Sequence, residues 1–146
     1  MNVYEAIKTR RSIRRYKAEI VPEQKLMAIL EAARMAPSAH NSQPYKFIVV
    51  RDAEKRRQLA KAALDQSFIA QAPVAIAIDH LTLAAVEENL GTCWIGAFSQ
   101  KEVKEILEIP EKYKVVTLLP LGYPDDKASQ KNRKELEELV CWENFY

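Results

Sequence analysis

Cysteine occurs only twice in this chain, at Cys93 and Cys141, with no C-x-x-C pair and no histidine at metal-ligand spacing. That gives a disulfide scaffold or a zinc site little support, and both residues read as buried free thiols. No apolar run approaches the length needed to span a bilayer. The opening Met1-Asn2-Val3-Tyr4-Glu5 carries neither the basic n-region nor the apolar h-region of a secretory signal, so the expected location is cytoplasmic. A strong charge of one sign is missing as well. The 22 basic residues against 20 acidic ones leave a net charge of +2, which argues against a surface built for nucleic acid. There is no internal repeat and no low-complexity segment.

The chain has 146 residues, 48% hydrophobic and 29% charged, which is the composition of an ordinary globular protein and long enough for one real core. A single domain over residues 1–146 is expected. Asn2 caps a first helix from Val3 to about Thr9. Pro22 opens a second, whose Leu26, Ile29, Leu30 and Ala33 form a buried stripe and which must stop before Pro37. Tyr45 to Val50 reads as a strand, and Asp52 caps a helix from Ala53 to about Leu64. Val74 to Ile78 reads either as a buried strand, followed by a helix from His80 to about Asn89, or as the start of one long helix. Asn89-Leu90-Gly91 reads as a helix end with Gly91 in the left-handed position, and Thr92 to Ile95 as the strand that follows. Ser99-Gln100-Lys101-Glu102 has the pattern of a capping box, and its helix ends before Pro110. Val115 to Leu119 reads as a buried strand stopped by Pro120 and the turn Gly122-Tyr123-Pro124. A short helix from Glu135 to Val140 precedes the aromatic tail of Trp142, Phe145 and Tyr146.

Four segments carry groups suited to a ligand with a flat, polar-edged ring and a phosphate. Pro37-Ser38-Ala39-His40-Asn41-Ser42-Gln43-Pro44 is a proline-stiffened loop rich in small donors and acceptors; its bland reading is a structural connection in which Asn and Ser satisfy backbone groups. Arg10, Arg11, Ser12 and Arg14 could grip phosphate oxygens with guanidinium forks and a hydroxyl; the bland reading is a solvated basic turn or a nucleic-acid arm. Lys131 and Arg133 are two apart, so in an extended segment both face one side and can hold one dianion; the bland reading is a flexible charged loop. Trp94, Ile95 and Gly96 end a strand at a glycine where backbone could approach a ring closely, with an N–H free to face it. His40 is a lone loop histidine and is given no catalytic role. No side chain is assigned catalysis and none a metal.

R-R-S-I-R-R-Y, A-P-S-A-H-N-S-Q-P-Y, L-G-T-C-W-I-G-A-F, L-L-P-L-G-Y-P and K-N-R occur in the order seen in the nitroreductase family of FMN-dependent NAD(P)H oxidoreductases, and the chain resembles that family over nearly its whole length. The resemblance implies an α+β fold with a mostly antiparallel sheet flanked by helices, built as an intertwined homodimer with FMN at the subunit interface. It assigns Arg10 and Ser12 to the flavin phosphate and pyrimidine edge, and Lys131 and Arg133 to the phosphate. Pro37, Ser38 and Ala39 would touch the ring of the flavin held by the other subunit, while Asn41 and Gln43 serve their own side. The chain departs from the family pattern in the middle: roughly twenty or more residues are missing after Val74, on the scale of element lengths that separate such positions.

The activity implied is hydride transfer from NADH or NADPH to FMN and on to a nitroaromatic, quinone or similar acceptor, in two half-reactions that use the same ring face. Two other readings stay open on sequence. One is an FMN-binding protein of the same fold with little turnover, a carrier or sensor. The other is a small nucleic-acid-binding module that uses the segment from Arg10 to Lys17.

Overall fold

The computed structural model describes residues 2–36, 40, 42–43, 46–75, 80–125, 134–135 and 139. Its elements in chain order are α1 (Val3–Thr9), α2 (Glu23–Arg34), α3 (Ala53–Ala62), α4 (Phe68–Gln71), β1 (Val74–Ala75), α5 (His80–Glu87), β2 (Gly91–Thr92), α6 (Gln100–Leu107) and β3 (Pro120–Gly122). β3 is the middle strand of a small sheet of order β1-β3-β2, antiparallel to both neighbours, with Val74 opposite Leu121, Gly91 opposite Gly122 and Thr92 opposite Leu121. The fold is therefore α+β with helices around an antiparallel sheet, as the sequence implies. Among the described residues no helix is long and apolar enough to cross a membrane.

The helix ends follow the capping chemistry of the sequence. Asn2 and Glu5 exchange hydrogen bonds at 2.9 Å each, closing a full capping box on α1. Asp52 accepts from the Lys55 N–H at 2.7 Å. Ser99 accepts from the Glu102 N–H at 3.3 Å, but its own N–H goes to the Ala62 carbonyl at 2.7 Å instead of to Glu102. Half of the expected capping box is thus replaced by a tie between α6 and the end of α3.

Two apolar clusters fill the interior. Leu26, Ile29 and Ala33 of α2 meet Leu81 and Ala85 of α5 over Val74, Leu119 and Leu121. Leu59, Ala62 and Ala63 meet Ile69, Val103, Ile95 and Leu118 in the second. Of the periodic positions expected in α2, Leu26, Ile29 and Ala33 are buried and Leu30 is partly buried against the same cluster, since residues three and four apart share a helix face. α4 is a single turn that the sequence reading omits, and α3 ends at Ala62, two residues short of expectation, where Leu64 and Asp65 turn to positive φ.

Two expected strands fall elsewhere. Val115 to Leu119 is not a continuous strand: the Val115 N–H and carbonyl both bond the Gln100 side-chain amide, and Val116 is 66% exposed. With its backbone already satisfied, Val115 has nothing to offer a neighbour, so pairing begins only at Leu118 and the strand proper is Pro120–Gly122. Residues 46–49 are likewise outside any ladder, with Ile48 and Val49 partly exposed and only Val50 in a bridge. β-branched composition favours a pleated neighbour but does not create one. Of the two readings of the segment from Val74, the structure takes the first, a strand at Val74–Ala75 and a helix that begins at His80.

Gly91 is not left-handed. Asn89 takes that conformation at φ 60°, its N–H bonding the Val86 carbonyl at 3.0 Å while the Leu90 N–H reaches Ala85 at 2.7 Å. This is a Schellman closure with asparagine, the tolerated alternative to glycine, at the turn. The same closure ends α6, where Glu108 holds φ 54° with Ile109 bonded back to Lys104 at 2.9 Å. Glutamate has no local hydrogen bond to favour that conformation. Glu108→Gly is therefore expected to raise stability by about 0.5–1 kcal/mol, read as a higher denaturant midpoint at unchanged slope. A lowered midpoint would show that Glu108 is not held left-handed.

Candidate functional site

The basic turn is built against the sheet. α1 ends at Thr9, and the Arg11 guanidinium turns back to donate to the Lys8 carbonyl at 2.6 Å and the Arg10 carbonyl at 2.9 Å, closing the helix terminus. Ser12 then bridges Thr92 in parallel, and the Ile13 N–H donates to the Thr92 carbonyl at 2.8 Å. Ile13 is buried where a side chain at position 91 would stand: a Cβ on Gly91 would lie 2.4 Å from Ile13 Cγ1. Only glycine lets this segment lie so close to β2.

Tyr16 fixes the far side of the turn. Its hydroxyl donates to the Ile13 carbonyl at 2.8 Å, its ring is buried with Ile13 and Ala72, and it bridges Pro124. Lys17 donates to the Tyr123 carbonyl, and Asp125 donates to that of Arg15, each at 3.0 Å. Burial, with Cys93 alongside, pushes the Tyr16 phenol well above the ordinary tyrosine range, opposed by Arg14.

β2 carries the second part. Past Thr92 the strand reaches Trp94, 46% exposed, and then Ile95, whose N–H and carbonyl pair with Leu118 at 3.0 and 3.1 Å. The Ile95 side chain is 3% exposed in the core, so this residue is the anchor that aims its neighbours. Gly96 follows into open space: a Cβ there would meet no atom within 4 Å, and its N–H has no partner among the described residues.

The pairing of Ser12 to Thr92 joins the segment that carries Arg10, Arg11 and Arg14 to the segment that carries Trp94, Ile95 and Gly96. Arg11 is occupied by its helix end. Arg10, half-buried, and Arg14, exposed, have no carboxylate partner among the described residues, whereas Arg34, Arg51, Arg57, Lys25 and Lys104 all pair with glutamates. Gln43 is exposed at φ 46° and His40 at φ 53°, both left-handed without being glycine. Pro37, Ser38, Ala39, Asn41, Lys131 and Arg133 lie outside the described residues. The chain leading to Lys131 departs from Asp125, beside Arg15. Gly91, Thr92 and Tyr16 are positioning residues that sequence reading did not single out. Gly91 and Thr92 act through Ile13 and Ser12, some eighty positions away, and Tyr16 through the nearby Ile13 carbonyl and the distant Pro124.

A sequence profile described as the Nitroreductase family matches residues 7–74 and 65–123. Among solved structures, an FMN-dependent nitroreductase from Clostridium difficile R20291 is 32% identical, with a TM-score of 0.86, 96% of this chain covered and 98% of that one. Among curated relatives, an FMN reductase (NAD(P)H) from Bacillus subtilis is 29% identical over 98% of this chain and 74% of its own. An NADPH-flavin oxidoreductase from Vibrio harveyi is 28% identical over 99% and 75% respectively. The Bacillus subtilis alignment runs over 184 positions, 38 more than the 146 residues of this chain, so that relative carries at least that many positions with no counterpart here. The two profile matches overlap over residues 65–74, which puts the departure from the profile in the middle of the chain.

Tyr16→Phe should cost about 1–2 kcal/mol, because it leaves the buried Ile13 carbonyl without its donor. The raised phenol contributes stability that is fully present below pH 10 and is lost as pH rises toward the folded-state value. Denaturation curves from neutral to strongly alkaline pH should therefore show an alkaline loss in the parent that is smaller in the Phe variant. Equal losses in both would place the titrating group elsewhere.

Proposed function

The chain belongs to the nitroreductase family, and on that premise we propose that it is an FMN-dependent oxidoreductase taking hydride from NADH or NADPH and delivering it to a small aromatic or quinone acceptor. The observation that carries this is the Ser12–Thr92 pairing, which fixes the segment bearing Arg10 and Arg14 against the strand that runs on to Trp94 and Gly96. The residues present fit an anionic flavin. Arg10 and Ser12, with Arg14 near, supply a cation and a hydroxyl for a phosphate, while Trp94 and Gly96 supply an aromatic face and a bare backbone N–H for a flat ring. Bound FMN supplies the hydride chemistry itself. The protein's part is to hold the phosphate and expose one ring face. The Gly96 N–H would point at a ring edge that gains electron density.

Gln43 and His40 favour a ligand-facing role for their loop, since left-handed non-glycine backbone costs on the order of 1–3 kcal/mol and persists where surroundings enforce it. Lys131 and Arg133 would add the second basic arm. The proposed assembly is a homodimer. Val3, Tyr4 and Ile7 form an exposed apolar stripe on α1, and Met27 and Met35 stand 54% and 68% exposed on and just beyond α2. Such surface is rarely left to water and suits a second copy.

The purified protein should be yellow, release FMN on denaturation and oxidise NADH or NADPH when given a quinone. A colourless protein that gains no flavin bands on incubation with FMN would overturn the reading. Bound flavin without turnover would make the protein a carrier. Arg10→Ala and Arg133→Ala should each weaken FMN by about 1.5–3 kcal/mol through loss of a charge-assisted bond, measured by fluorescence titration. Ile7→Glu should yield a monomer in sedimentation with FMN affinity reduced about tenfold or more. A monomer binding FMN as tightly as the parent would show that each site is complete within one chain.

A further inference from the structure

Gly91 of β2 and Gly122 of β3 stand directly opposite each other, so the places their side chains would take share one face of the sheet. Neither place is free. A Cβ on Gly91 would lie 2.4 Å from Ile13 Cγ1 and 3.1 Å from Pro124 Cγ, and one on Gly122 would lie 2.6 Å from Pro73 Cδ and 3.0 Å from Tyr16 Cδ1. Ile13 and Tyr16 are the two buried residues of the turn that carries Arg10, Ser12 and Arg14. The hollow left by two missing side chains is thus filled by one segment, Ile13 over Gly91 and Tyr16 over Gly122. Pro73, the residue before β1, closes the Gly122 side, and Ala72 packs with both anchors. The segment of Trp94 and Gly96 is held by other contacts. The Ile95 N–H and carbonyl pair with Leu118 at 3.0 and 3.1 Å, and the Ser99 N–H donates to the Ala62 carbonyl at 2.7 Å, none of which involves Tyr16 or Gly122.

We infer that Gly122 is a positioning residue for the flavin phosphate, acting through Tyr16, and that the phosphate-binding and ring-binding halves of the site are seated independently. The inference rests on the FMN reading and deepens it. A side chain at position 122 would press the Tyr16 ring off β3 and carry its hydroxyl away from the Ile13 and Pro120 carbonyls, to which it donates at 2.8 and 3.4 Å. Close packing passes that displacement to the main chain of residues 13–16, whose far end bridges Pro124. Arg10, Ser12 and Arg14 then lose their register with the phosphate, while Trp94 and Gly96 stay where Ile95 holds them.

The test is Gly122→Ala in the full-length protein, freed of bound flavin and titrated separately with FMN and with riboflavin. Pro73→Ala and the double variant Pro73→Ala/Gly122→Ala accompany it, because removing the proline ring relieves the 2.6 Å contact and leaves only the push on Tyr16. The expected result for Gly122→Ala is an FMN-to-riboflavin affinity ratio about tenfold or more below the parent's, through loss of charge-assisted contacts, with riboflavin affinity within about twofold of the parent's. If Gly122→Ala does not fold, the same drop is expected between Pro73→Ala and the double variant. An unchanged ratio in either folded variant, or an equal fall for both flavins, overturns the inference and leaves the FMN reading in place. A parent that binds neither flavin, or both equally, overturns the inference together with the phosphate assignment it rests on.

Discussion

The hydrogen bond from Ile13 to Thr92, with Ile13 filling the space that a side chain at Gly91 would need, is the contact on which the site depends. Without it the segment after α1 would be a solvated basic turn, held only at its helix end. With it, residues 10–17 become an accessory to the sheet, clamped by β2 on one side and by Tyr123 to Asp125 on the other. Tyr16 closes the clamp from within, through a buried hydroxyl that has no role except to bond main-chain carbonyls. The charge carried by this segment is therefore delivered to a fixed place by apolar packing and backbone pairing, and the guanidinium groups need no partner of their own to be ordered.

That arrangement explains the division of labour along the chain. Ile13 and Tyr16 point inward and hold, while Arg10 and Arg14 stay unpaired and available. On β2, Ile95 is the inward residue and Trp94 and Gly96 the outward ones. Alternation of buried and exposed positions is the ordinary consequence of extended backbone, and in the proposed site the exposed positions of both segments would face the ligand. An unpaired cation beside water costs little, but several beside one another raise the local potential and favour a dianion.

Local chemistry was the legible part of the sequence. The Asn2 and Asp52 caps, the buried stripe of α2 and the stop at Met35 all follow from interactions within four residues, and the structure has them. The order of motifs pointed to the family because each keeps its chemistry in short range. What could not be read is pairing at a distance. Val115 to Leu119 has the composition of a strand, but whether it pairs depends on the Gln100 amide fifteen residues earlier. Gly91 looked like a helix cap because Asn89 can take that role without announcing it, and its real task, making room for Ile13, is set by a contact 78 positions away.

The central claim is that this surface binds a flavin through its phosphate, and the most direct measurement is a calorimetric comparison of FMN with riboflavin, which differ only in that group. Two or more charge-assisted contacts predict FMN binding on the order of 100-fold tighter or more, with a difference that shrinks as salt rises. Equal affinity for the two flavins would contradict the account, because the basic turn would then contribute nothing that the ring surface does not.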